Sequence, residues 1–76
     1  MSARQWQLAR VMQVIFMTSH GMPALSDLVK RSGISFFTRR VLQRWLRGEI
    51  STDTAVELIQ SDDAGRIIGT WTSSRV

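Results

Sequence analysis

The chain has 76 residues, enough for one small domain. It has no cysteine and one histidine, which excludes a disulfide framework, a thiolate metal site and a histidine-rich metal cluster. The net charge of +4 is unevenly spread: residues 1–48 carry eight basic side chains against Asp27, whereas residues 49–63 carry five acids and no base.

Nine of the ten cations are arginine, whose planar guanidinium forks onto phosphates and guanine edges. The composition is 43% hydrophobic and 21% charged with a single proline, as in a folded globule rather than a disordered chain. No apolar run approaches the roughly 20 residues of a membrane span. The first residues lack a signal-peptide core. The expectation is a cytoplasmic protein without a membrane segment. A domain this small, with no covalent or metal staple, is also suited to pairing with a second copy.

Helical spacing over residues 3–19 predicts the first helix. Leu8, Ala9, Val11, Met12, Ile15 and Phe16 form one broad face, and Trp6, Val14 and Met17 lie on a second arc. Gly21 is a natural stop, and His20 before it reads as a cap or surface residue. Pro23 suits the first turn of a second helix over 23–32, with Leu25, Leu28 and Val29 inward. Gly33 can end it in a left-handed conformation, and Ser35 is a natural N-cap.

In the third helix Phe37, Val41, Leu42, Trp45 and Leu46 form an apolar stripe. Trp45 and the phenylalanines are accordingly assigned to the core. Arg39, Gln43 and Arg47 line the opposite side, flanked by Arg40 and Arg44. Gly48 ends the helix. A fourth begins at Ser51–Thr54, with Thr54 and Glu57 as a capping box and Ala55, Val56, Leu58 and Ile59 inward. Over 62–76 the sequence is open between a short helix and a strand, since Ile67, Ile68, Thr70, Trp71 and Thr72 favour a strand that has no evident partner. The last four residues are expected to fray.

Enzymatic chemistry finds no footing. A nucleophile needs an adjacent base and an orienting group, and His20 beside Ser19 has no acid near it in sequence. The acids of 49–63 do not form a calcium loop, and there is no glycine-rich phosphate loop. No cofactor and no metal are expected.

A helix, a glycine-containing turn and an amphipathic helix with basic and amide side chains outward is a helix-turn-helix pattern. The stretches LSDLVKRSGIS and VLQRWLRGE resemble the helix-turn-helix of small phage, plasmid and bacterial repressors, and within that group the Cro/C1-type pattern. The resemblance covers roughly residues 25–50. It makes Gly33 the turn glycine and places Arg44, Trp45, Leu46, Arg47 and Gly48 at the end of the recognition helix. Two positions depart from the pattern: Val29 stands where a small residue is usual, and Phe36–Thr38 look like an insertion between the turn and the recognition helix, so that either the turn is longer or the helix starts earlier. The segment ALSDLVKRSGIS is also similar to winged-helix regulators, but EISTDTAVELIQ reads as helix where those have a β-hairpin.

The expectation is therefore an all-α, four-helix or five-helix domain spanning 1–76, with its helix-turn-helix core at about 23–48. Its expected function is sequence-specific binding of double-stranded DNA as a homodimeric transcriptional repressor. Arg39, Arg40, Gln43 and Arg44 are the expected base contacts, with Gln43 the best candidate for an adenine edge. Lys30, Arg31, Ser35, Thr38 and Arg47 are the expected phosphate contacts. Trp6, Val14, Met17, Ile67, Ile68 and Trp71 are the expected dimer contacts, with the C-terminal segment favoured. The competing expectation is a protein-interaction module or inhibitor that grips an acidic protein partner through its arginine face.

Overall fold

Five helices follow one another: α1 (Ala3–Thr18), α2 (Met22–Ser32), α3 (Phe36–Leu46), α4 (Thr52–Leu58) and α5 (Ser61–Ser74). The computed structural model describes residues 2–18 and 22–74, with the backbone alone at 18, 22–25 and 74. Among the described residues there is no strand, so the fold is all-α with five helices. The expected stop at Gly21 and the cap or surface role of His20 lie outside the described residues, as does the side chain of Leu25.

Each helix start has a local cause. Ser2 and Gln5 cap α1 reciprocally: the Gln5 N–H donates to Ser2 Oγ at 3.2 Å, and the Ser2 N–H donates to Gln5 Oε1 at 2.8 Å. Ser35 caps α3 in an extended conformation, accepting from the Thr38 N–H at 3.3 Å. Ser51 caps α4 by accepting from the Thr54 N–H at 3.1 Å. The expected Thr54–Glu57 capping box is thus displaced by one turn, because the hydroxyl of Ser51 reaches the free amide first. Phe36–Thr38 form the first turn of α3, so the helix starts earlier rather than the turn being longer.

The end of α3 is also specified. Gly48 lies in the left-handed region at φ +81°, and its N–H donates to the Trp45 carbonyl at 3.0 Å. The Glu49 N–H donates to the Arg44 carbonyl at 3.0 Å, which completes a Schellman stop. Gly33 takes φ +66° between α2 and α3.

Residues 61–74 are helix, which resolves the alternative left open in the sequence. The reason is burial. As a helix the segment stacks Ala64, Ile67 and Trp71 on one face against the core, with Ile68 beside them. As a strand it would send Ile67 and Ile68 to opposite sides with no partner for its backbone. Asp62 and Asp63 in the first turn favour the helix N-terminus electrostatically. Ser73 and Ser74 continue the helix rather than fray, and residues 75 and 76 lie outside the described residues.

The core joins Leu8, Met12 and Ile15 of α1 to Leu28 and Val29 of α2, to Val41, Leu42 and Trp45 of α3, and to residues of α4 and α5. Helix α1 packs on α4 and α5, α2 packs on α5, and α3 packs on α4. The two helices of the central turn are thus braced separately, and α1 ties the braces together. Several apolar side chains expected inside are outside. Phe16, Phe36, Phe37 and Leu58 are exposed. In α3 the inward row is Thr38, Val41, Leu42 and Trp45, so Thr38 takes the core position that the stripe assigned to Phe37.

The two glycines Gly33 and Gly69 lead to opposite expectations. A Cβ at Gly33 would touch nothing within 4 Å, so Gly33→Ala is opposed only by its positive φ and should destabilise by about 1–2 kcal/mol. Gly69 sits within α5 and also has open space around it, so Gly69→Ala should stabilise by about 0.5–1 kcal/mol. Urea unfolding midpoints of the two variants test both signs.

Candidate functional site

Helix α3 is fixed at both ends. At its start, Asp63 of α5 reaches across to the turn. Its Oδ2 accepts from the Ser35 hydroxyl at 2.8 Å, from the Ser35 N–H at 3.4 Å and from the Thr38 hydroxyl. Asp63 is only 4% exposed and Thr38 0%. Arg66, one turn further along α5, donates to the Gly33 carbonyl at 3.3 Å and lies 3.5 Å from the second oxygen of Asp63. Thus α5 holds the turn by its carbonyl, its amide and its hydroxyls. A buried carboxylate at a helix start, with three donors and a guanidinium, is well satisfied. Among the described residues no buried side-chain polar atom lacks a partner.

At the other end of α3, the Trp45 indole N–H donates to Thr52 Oγ1 of α4 at 3.0 Å. The Trp45 ring meets Phe16 of α1 with centroids 5.9 Å apart and planes tilted by 58°, an arrangement favoured by the ring quadrupoles. The outward face of α3 is therefore presented at a defined angle by three other helices.

That face carries Arg39, Arg40, Arg44 and Arg47, all exposed, with Gln43 half-buried among them. Phe36, Arg40, Gln43 and Arg47 form one row at i, i+4, i+7 and i+11. Among the described residues Arg39, Arg40 and Arg44 have no ion-pair partner. Arg47 lies 3.8 Å from Glu49, a loose surface pair that contributes little. Lys30 is exposed on α2, and Arg31 is tied to Asp27 at 3.3 Å along the same helix.

Two expected phosphate contacts are placed differently. Thr38 is enclosed and donates to Asp63, so it is out of reach of a phosphate. Ser35 is at the surface, but its hydroxyl is committed to Asp63 and to capping α3. Of the expected dimer contacts, Ile67 is 1% exposed in its own core and is withdrawn from any interface. Ile68 and Trp71 are partly buried against the same core. Trp6, Val14 and Met17 are exposed, Met17 at 81%. Met17 and Phe16 line a groove of about 620 Å³ together with Leu46 and Ile50.

The residues that position the site, Asp63, Arg66 and Thr52, were not singled out in the sequence. The one available signal was the acidic pair at 62–63 opening a helix, which indicates a helix start but not which turn it grips. No family model, curated protein or solved structure matches this chain. Among the described residues no three potential metal ligands gather, and no helix is long and apolar enough to cross a membrane.

The Thr38 hydroxyl, with help from Ser35 and Arg66, holds the Asp63 carboxyl below its ordinary value, against the opposing effect of burial. A depressed carboxylate contributes stability that is fully present above its unfolded-state pKa and is lost as pH falls through its folded value. Asp63→Asn should therefore lower stability at pH 7 by about 2–3 kcal/mol. The gap between wild type and variant should narrow as pH falls below about 4. Urea titrations at pH 7 and across the acid range measure both.

Proposed function

We propose that the chain is a sequence-specific DNA-binding regulator of the helix-turn-helix kind, with α3 as its reading helix. The observation that carries this is the outward face of α3: Arg39, Arg40 and Arg44, without acidic partners among the described residues, around a glutamine, on a helix locked by neighbours on both ends. An α-helix fits a major groove about 12 Å wide. At about 16 Å long, α3 can lay its first two turns along base edges. In this reading Arg39, Arg40, Gln43 and Arg44 face bases, while Arg47, Lys30 and Arg31 meet phosphates.

We take the regulator to be a repressor that acts by occluding a promoter as a homodimer in the cytoplasm. The longest dimension of one copy is 28 Å. Successive major-groove faces on one side of a duplex are about 34 Å apart, so one copy reads a single half-site. With Ile67 inside the fold, the twin contact falls to α1, whose exposed row Trp6, Arg10, Gln13 and Met17 has apolar ends. In this reading its own concentration or a partner protein sets its occupancy.

A second reading is favoured by Phe36 and Phe37. Exposed aromatics beside arginines are also what protein interfaces use as anchors. In that reading the face grips an acidic protein.

Duplex binding measured across a salt series separates the two readings. Log affinity should fall with log salt at about −0.9 per neutralised phosphate. Gln43→Ala and Arg40→Ala should reorder the preferred sites and cost about 1–3 kcal/mol on the best one, whereas Lys30→Ala should weaken all duplexes alike. Absence of duplex binding at low salt rejects the DNA reading. For the dimer, sedimentation at micromolar concentration should show two copies for wild type and one for Trp6→Glu with Met17→Glu. A double variant that stays dimeric moves the contact off α1.

A further inference from the structure

We infer that Phe36 is a specificity-determining residue that reads the 5-methyl group of a thymine in the major groove. This rests on the DNA-binding reading of α3 and names a contact that the arginines and Gln43 cannot make.

Phe36 is 69% exposed, and its position leaves no alternative within the fold. The buried row of α3 is Thr38, Val41, Leu42 and Trp45. At 100° per residue Phe36 lies about 170° around the helix from the middle of that row. No rotamer brings it into the core. It heads the outward row that continues through Arg40, Gln43 and Arg47. A large apolar ring thus stands at the head of a basic face.

Its location is also fixed. Ser35, directly before it, is held by Asp63 through both hydroxyl and amide, and Thr38 two residues on is held by the same oxygen. The first turn of α3 is anchored from behind while Phe36 points forward. The first residues of a recognition helix are the ones that meet base edges in helix-turn-helix complexes. The groove presents one apolar feature there, the thymine methyl, and it distinguishes an A·T pair from every other. The arginines on either side supply attraction to an anionic surface, which selects a duplex over an apolar partner.

The test starts from the duplex that the wild-type protein selects out of a random pool. Each thymine of that site is replaced in turn by uracil, which removes the methyl group and leaves the pairing edge unchanged. Wild type should bind about fourfold more weakly at one thymine per half-site, the factor that follows from burying one methyl group. Phe36→Ala should bind the thymine and uracil forms of that position alike, with an unchanged salt slope and an unchanged thermal midpoint. Wild type indifferent to uracil at every position, or a selected site without thymine, overturns the inference while the salt-dependent DNA reading stands. The same uracil penalty in wild type and in Phe36→Ala also overturns it, because another side chain then touches the methyl. No duplex binding even at low salt rejects the DNA reading and this inference together, and leaves Phe36 as a protein contact.

Discussion

A single carboxylate organises the turn on which the candidate site depends. Asp63 takes two hydroxyls and an amide from the segment that joins α2 to α3, and Arg66 takes the carbonyl of Gly33. A three-residue turn has too few apolar atoms to fix the angle between two helices by packing alone. Directional hydrogen bonds to a charged acceptor, shielded from water, do so more sharply. The same carboxylate sits at the positive end of the α3 dipole, so its charge is stabilised by the helix that it positions.

This division of labour keeps the two faces of α3 chemically separate. Thr38, Val41, Leu42 and Trp45 answer to the fold, while Arg39, Arg40, Gln43, Arg44 and Arg47 face away from it. No outward residue contributes to the latch at Asp63 or to the Trp45–Thr52 bond. Changes on the outward face therefore have little effect on how firmly the helix is held.

Much of the architecture was legible in the sequence. The periods of residues 3–19 and 36–46, the glycines at 33 and 48 and the serine caps at 35 and 51 each have a local cause that short-range physics supplies. What was not legible depends on distant partners. The helix at 61–74 was ambiguous because Ile67, Ile68 and Trp71 suit a strand in isolation, and only burial against α1 and α2 decides the matter. Phe37 was placed inward because it is apolar and at the right spacing. Thr38 displaced it because its hydroxyl donates to the buried Asp63 carboxylate, a hydrogen bond that a phenyl ring cannot make. The outward arginines were readable as a face, but Asp63 and Arg66, which hold the turn and the start of α3, lie 25 to 33 positions from their partners along the chain.

That separation has a consequence for the order in which the molecule is assembled. During synthesis, α2, the turn and α3 leave the ribosome before Asp63 and Arg66 exist to grip them. Until α5 follows, the helix pair has its sequence but not its fixed angle. The arginine face is then present on a nascent chain without being aimed. The angle of the helix pair is set only when α5 docks, so the geometry of the outward face depends on a segment made after it.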